Sequence, residues 1–260
     1  MKNILFIGGD KRMIYAYEEF KKQGYTVSSF GLFQADEGKI EDNEIIIFPV
    51  PITRDKITVN CPITNAVIPL KETIEKCGDR QIFGGCYKGK NNFTDYCELD
   101  DYCLLNAVPT AEGAISFAIE NTPFTLWESK VLVIGAGRVG KILADRLKGL
   151  KCDITVTARK ARDFALLEAL GIEYTHTDLL HKIKNNFDII FNTVDVNFFS
   201  DIDSLPKNAL LIDLSSLGCT NFSAAREMGY KAYKLPGIPG KNAPKTAGVI
   251  LANTLIKLIN

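Results

Sequence analysis

The sequence predicts an α/β protein of two domains, each with a parallel sheet, and a C-terminal helix that returns to the N-terminal domain. Three observations carry this. Apolar runs of strand length alternate with helix-length stretches along most of the 260 residues. A glycine-rich turn separates a strand from a helix near the middle, and a last apolar run follows a Pro/Gly-rich loop. The length fits one large domain or two small ones. A chain of this size buries roughly 70–75% of its extended surface, enough to fold without a disulfide or a metal.

Composition narrows the function classes. With 31 Lys and Arg against 31 Asp and Glu, 46% hydrophobic and 24% charged residues, the usage is globular and not that of a polyanion binder or an acidic tail. No nucleic-acid partner is expected. No apolar stretch approaches the ~20 residues that cross a bilayer, so no membrane partner is expected either. The start, MKNILFIGGDKRM, breaks into glycines and charges without a small-residue cleavage site, and reads as a first strand and not a signal peptide. Seven cysteines, an odd number without a CxxC pair, predict a reduced, cytoplasmic chain.

The elements follow in order. Residues 3–7 form a strand that runs into Gly8-Gly9-Asp10. A helix follows to about Gln23, where Gly24 stops it, and residues 25–30 are a second strand. The run EIIIF at 44–48 is a buried strand ended by Pro49-Val50-Pro51, whose prolines cannot donate to a ladder. Residues 70–76 read as a helix and 81–83 as a strand that opens into a glycine-rich loop. Ala111, Ala114, Ile115, Ala118 and Ile119 then share one helical face, capped at its start by Thr110. This helix, 111–122, is read as the crossing from an N-terminal substrate-side domain, 1–110, to a second domain, 123–245. Residues 246–260 form the returning helix.

The second domain has the stronger alternation: strands at 131–134, 153–157, 188–191, 209–213 and 231–235, with helices at 138–150, 163–170 and 222–228. Its sharpest motif is Gly135-Ala136-Gly137-Arg138-Val139-Gly140, directly between the strand KVLVI and a helix. In that context Gly135 serves a tight turn, Gly137 lets backbone approach a pyrophosphate, Gly140 lets the helix pack on the strand, and the helix N-terminus offers N–H groups to phosphate. Both domains are therefore read as Rossmann-like.

Sites selective for NAD place an acid about 20 residues on, at the end of the second strand. Here stand Arg159, Lys160 and Arg162, cations that suit a 2′-phosphate and predict NADP as cofactor. The next strand ends carry Asn192, Thr193, Val194, Asp213 and Ser215, which either meet ribose and carboxamide groups or close strand-end turns. The loop LPGIPGKNAPKT is expected either to close over the cofactor through Pro236, Gly237 and Lys241, or to act as a rigid hinge with a cap at Thr246. His176 and His181 read as surface residues of a peripheral helix, and no metal site is expected.

The segments VPTAEGAISFAIENT, VLVIGAGRVGKILADRL, VTARK, FNTV, LLIDLSS and LPGIPGKNAPKTAGVILAN together resemble the A-subunit family of bacterial dipicolinate synthases, over nearly the whole chain. The loop after Leu235 is more distantly similar to alanine dehydrogenase and transhydrogenase domains. The resemblance implies a cytoplasmic enzyme of sporulation that works with a flavoprotein-like B-subunit. Together they would dehydrogenate a tetrahydrodipicolinate- or dihydrodipicolinate-type precursor to dipicolinate with a pyridine nucleotide; a homo-oligomer such as a dimer is compatible.

A dicarboxylate substrate calls for cations and N–H donors, and Thr53, Arg54, Lys88 and Lys90, on strand-end loops of the first domain, are its candidate contacts. Lys88, Thr110 and Glu112 are the candidate catalytic residues; each also has a plain reading as a surface charge or a helix cap. Two alternatives stay open: an alanine-dehydrogenase-like 2-oxoacid or amino-acid reductase, and a non-catalytic nucleotide-binding protein within the synthase.

Overall fold

The structure, a computed structural model, describes residues 2–88, 92–182, 187–195, 206–215 and 222–260. The chain divides into two compact units, Met1–Asn106 with Pro239–Asn260, and Ala107–Ile238.

The first unit holds β1 (Asn3–Ile7), α1 (Lys11–Lys22), β2 (Thr26–Phe30), β3 (Ile45–Ile47), α2 (Leu70–Cys77), β4 (Gln81–Gly84) and β5 (Phe93–Asp95). Its five strands lie in the order β2-β1-β3-β4-β5, each neighbour parallel. Successive side chains of a strand face opposite ways, and β1 shows it: Ile4 and Phe6 enter one apolar cluster with Met13, Ala16 and Phe20 of α1, while Leu5 and Ile7 enter another with Leu70 and Cys77 of α2. Burial on both faces is what an all-parallel sheet requires, and it explains the continuous apolar strands. β5, a short and half-buried edge strand, has too little apolar pattern to be predicted.

The next helix corrects an expectation. α3 runs from Asp100 to Asn121, with Pro109 inside it, instead of beginning after Thr110. A proline in a helix removes one backbone donor, which made Pro109 look like a start. The helical period nevertheless passes through it: Ala107, Ala111, Ala114 and Ala118 are all buried, and two acids occupy the first turn, where the helix dipole favours them. The boundary between the two units falls within this helix, between Asn106 and Ala107.

The second unit holds β6 (Lys130–Ile134), α4 (Arg138–Gly149), β7 (Asp153–Ala158), α5 (Ala161–Ala169), β8 (Glu173–His176), β9 (Ile189–Asn192), β10 (Leu210–Asp213), α6 (Phe222–Glu227) and β11 (Lys231–Lys234). Its six parallel strands are ordered β11-β10-β9-β6-β7-β8, so the strand order reverses between β6 and β9. The exposed and half-buried residues of β8, EYTH, carry no apolar period.

The chain ends with α7 (Ile238–Asn242) and α8 (Pro244–Ile259). α8 starts on Pro244, a residue suited to the first turn, so Thr246 is not its cap. It packs on α1 closely: a Cβ at Gly248 would lie 2.4 Å from the carbonyl of Arg12. Leu251 and Leu255 join the cluster of Phe6 and Phe20, which returns the C-terminal helix to the first unit.

Candidate functional site

In the second unit the reversal between β6 and β9 opens a crevice at the carboxyl ends of the strands, the place where open parallel sheets bind ligands. The turn after β6 fills it with glycine for separable reasons. Gly135 has φ +101°, and a Cβ there would meet Val194 Cγ1 at 2.4 Å and Thr193 Oγ1 at 2.8 Å. A Cβ on Gly140 would fall 1.9 Å from the Gly135 carbonyl oxygen, so only glycine lets α4 start this close to β6. Gly137 has φ −77° and open space for at least 4 Å around a would-be Cβ. No internal packing explains that glycine, and its backbone is left open to an approaching group. Gly137 is also the N-cap of α4 and brings no side-chain acceptor, which leaves first-turn N–H groups for an anion. Ala136 is buried, Val139 half-buried, and Arg138 exposed beside the turn.

Hydrogen bonds hold the turn in place. The Gly135 N–H donates to Thr157 Oγ1 of β7 (3.1 Å), and Thr193 Oγ1 donates to the carbonyl of Ile134 (2.9 Å). Asn192 Nδ2 donates to the Val194 carbonyl and to Asp213 Oδ1, both at 2.8 Å, and Ser215 gives Asp213 Oδ1 its N–H (3.1 Å) and hydroxyl (2.7 Å). Asn192 and Asp213 are almost fully buried. Of the two readings the sequence left open for these residues, the observed bonds are those of strand-end turns that shape the crevice.

Arg159 and Lys160 follow β7 directly and are exposed; among the described residues neither is drawn into an ion pair. Arg162 is exposed too and leans toward Asp163 (3.7 Å), whose carboxylate already pairs with Lys141 at 2.6 Å. His176 is not on a peripheral helix. It closes β8 in register with Ala158 and lies 3.5 Å from Asp178, so it stands at the same carboxyl end of the sheet as Arg159. The side chain of His181 lies outside the described residues.

In the first unit the strand order 2-1-3-4-5 reverses between β1 and β3, which places a second crevice beside Gly8-Gly9-Asp10 and Pro49-Val50-Pro51. Two residues there escaped the sequence reading. Asp10 caps α1 through the Arg12 N–H (3.0 Å). Arg12, with a side chain only 7% exposed, binds Asp10 through Nε and Nη2 and donates from Nη2 to the Val50 carbonyl at 2.6 Å. A capping aspartate after Gly-Gly was the available signal. Gly85 joins the same loops, donating to the Pro49 carbonyl and accepting from the Ile52 N–H.

The predicted substrate contacts lie on these loops. Arg54 is exposed, and its Nε donates to Asn60 Oδ1 (3.2 Å). The Thr53 hydroxyl is engaged with Asp55 (3.0 Å) and the Lys56 N–H (3.0 Å), a turn in which bonds from the Thr58 hydroxyl and from backbone N–H groups hold the Asp55 carboxyl well below its usual value. Lys88 is exposed just past Tyr87. Lys90 lies outside the described residues.

Three expectations shift. Thr110 is in the interior of α3 and not at its start. Glu112 is exposed and faces Arg146 Nε at 3.4 Å; Arg146 belongs to the last turn of α4, a helix length away from the glycine turn that begins it. Of the late loop, Pro236 and Gly237 are exposed in the second unit, but Lys241 is on α7 in the part that belongs to the first, next to Gly240, whose would-be Cβ meets Arg12 and Asp10 at 2.7 Å. Among the described residues no group of three or more His, Cys, Asp or Glu is placed to hold a metal ion, and no helix is long and apolar enough to cross a membrane.

A six-stranded parallel sheet with a glycine turn at its reversal, joined to a second parallel α/β unit, defines the class: a two-unit protein of dehydrogenase fold, an architecture that implies a nicotinamide nucleotide at the turn. The family of dipicolinate synthase A-subunit N-terminal domains matches residues 3–101, and the shikimate / quinate 5-dehydrogenase family matches 117–199. The chain is 33% identical to the dipicolinate synthase A-subunit of Bacillus subtilis (strain 168), over 98% of its own length and 95% of that protein's. It therefore belongs to the dipicolinate synthase A-subunit family. The crystal structure of the family member from Bacillus halodurans superposes with a TM-score of 0.89 at 30% identity, covering 99% of this chain and 97% of that one. An L-alanine dehydrogenase, 13% identical with a TM-score of 0.65 over 98% of this chain and 88% of its own, shares the fold alone.

Proposed function

We propose that this chain is the nucleotide-binding, dehydrogenating component of a dipicolinate synthase, that it uses NADP, and that it oxidises a tetrahydrodipicolinate- or dihydrodipicolinate-type precursor in the cytoplasm of a sporulating cell, together with a flavoprotein-like B-subunit. The observation that carries the nucleotide part is the pairing of open space at Gly137 with the exposed cations Arg159 and Lys160 at the end of β7, where an acid would serve the ribose hydroxyls of NAD. When bound, the nicotinamide would accept a hydride from the substrate.

The chain's own residues hold the parts. The N–H groups of the first turn of α4 bind the pyrophosphate, and Arg159 with Lys160 takes the 2′-phosphate. Asn192, Thr193, Asp213 and Ser215 keep the crevice in shape. Arg54, on a strand-end loop of the first unit, meets a carboxylate of the substrate; Lys88, on another such loop, either meets a carboxylate as an ammonium, with the proton released on oxidation passing to water, or takes that proton as a neutral amine. Arginine and lysine are the residues that carboxylates and phosphates select.

Titrating the purified chain with NADPH and NADH tests this. NADPH should bind more tightly, and Arg159→Ala should weaken NADPH by about 10- to 100-fold, the loss of one charge-assisted hydrogen-bonded contact, while leaving NADH unchanged. Lys88→Ala should keep NADPH affinity and lose turnover. Tighter NADH binding, or an Arg159→Ala variant with intact NADPH affinity, overturns the cofactor assignment. Turnover that appears only when the flavoprotein-like component is added would favour a non-catalytic, nucleotide-binding role for this chain.

A further inference from the structure

We propose that Cys86 and Cys97 form a reversible dithiol–disulfide site that ties the chain just past β4 to the turn after β5. Among the cysteines of the described residues, these two bring their sulfurs together, Sγ to Sγ at 3.5 Å.

The sheet makes the meeting. β4 and β5 are parallel neighbours with Gly84 opposite Asp95, and Cys86 and Cys97 each stand two residues further along their own strand's path. Asp95 then fixes both backbones with one carboxylate: Oδ1 accepts from the N–H of Cys86 (3.1 Å) and of Cys97 (2.8 Å), and Oδ2 from that of Tyr87 (2.9 Å). The Cys97 side is anchored further by Tyr96, fully buried, whose hydroxyl donates to the Phe48 carbonyl (3.0 Å). Cys86 has a left-handed backbone (φ +59°), a conformation that costs a non-glycine residue energy and aims its exposed thiol at Cys97.

The two thiols are also unequal. The hydrogen bond between them holds Cys86 below the ordinary thiol value and Cys97 above it, so the exposed sulfur is the one that ionises first. Among the described residues the other thiols do not compete on the same terms. Burial pushes Cys61 and Cys77 up to about 11, Cys152 donates to the Leu126 carbonyl, and Cys103 donates to the Cys97 carbonyl at 2.8 Å.

The oxidant is a low-molecular-weight disulfide. The Cys86 thiolate attacks one of its sulfurs, the S–S bond breaks, and the first small thiolate leaves and takes a proton from solvent. Cys97 loses its proton to solvent and attacks the Cys86 sulfur of the mixed disulfide. The Cys86–Cys97 bond forms and the second small thiol departs. The protein dithiol is oxidised by two electrons and the small disulfide is reduced to two thiols.

The test equilibrates the full chain in glutathione buffers from fully reduced to fully oxidised, quenches with acid, and counts thiols by alkylation and peptide mass. The expected result is a loss of two thiols of seven with one cross-linked product, about 2 Da lighter, that joins Cys86 to Cys97. Cys86→Ser and Cys97→Ser should each abolish it, and Cys103→Ser and Cys152→Ser should leave it intact. Melting of each variant under reducing conditions reports whether it folds. All seven thiols persisting in the oxidised buffer overturns the proposal. So does a cross-link between Cys97 and Cys103, or a stable glutathione adduct on Cys86 in the wild-type chain.

Discussion

At the residue scale the three glycines of the turn separate packing from binding. A methyl group on Gly140 would collide with backbone, and backbone cannot give way as the end of a flexible side chain can. A methyl group on Gly137 meets nothing of the protein. Gly140→Ala should therefore lower the melting temperature and abolish nucleotide binding together. Gly137→Ala should change stability by less than about 1 kcal/mol, the range for an N-cap exchange, and still weaken nucleotide binding. Calorimetry beside a titration checks both; equal destabilisation would make Gly137 a packing residue.

Asp36 gives a second prediction at this scale. Burial pushes its carboxyl up, but N–H bonds from Phe33, Leu32 and Gly31, at 2.8–3.0 Å, more than offset this, and the folded value lies below the ordinary 3.8. A depressed acid stabilises the fold fully above its unfolded value, and that contribution is lost as pH falls through the folded one. Denaturant titrations at pH 7 and pH 3 should show a smaller loss on acidification in Asp36→Asn than in the wild type. An equal loss in the two proteins counts against this.

At the element scale one buried ion pair of the first unit joins two pieces of chain. Arg12 ties the start of α1, through Asp10, to the loop after β3, through Val50. Removing one partner of a buried pair leaves the other uncompensated. Arg12→Ala should cost about 3 kcal/mol, toward the low end of such losses because Asp10 keeps some solvent contact. Urea titration measures it, and a loss under about 1 kcal/mol would show the pair to be dispensable.

Most elements were legible because their signals are local: β1, α1, α4 and β10 announce themselves by apolar period and by the glycines that end or open them. The elements that escaped lack such signals. β5 and β8 are short strands with half-exposed faces, and α3 passes through a proline that reads as the start of a helix. The same contrast holds in the candidate site. The glycine turn and Arg159 are visible in sequence because their spacing is fixed by one strand and one turn. Asp10–Arg12 was not, since its meaning depends on Val50, 38 residues away.

At the scale of the whole molecule, the first unit is discontinuous: its core is closed by α8, more than 130 residues after the first part ends. Leu255 is fully buried among Phe6, Phe20 and Leu251, so Leu255→Ala should destabilise the first unit by about 2–5 kcal/mol. In a thermal scan followed by probes in each unit, the transition of Met1–Asn106 should move down while that of Ala107–Ile238 moves less. A uniform shift of both would show that they melt as one.

Charge shows the same division. The first 110 residues carry 13 basic and 16 acidic residues and the remainder 18 and 15, so an overall balance of zero covers a modest excess of cations in the part that carries the glycine turn. The sequence by itself determined the alternation of strands and helices, the glycine turn and the cations after β7, because each rests on contacts within a few residues or one βαβ unit. Only the tertiary structure decided that Glu112 pairs far from the turn, that His176 ends a strand beside Arg159, and that two cysteines eleven residues apart meet. Those depend on which strands lie side by side, and a strand's neighbours are chosen by the packing of the whole sheet.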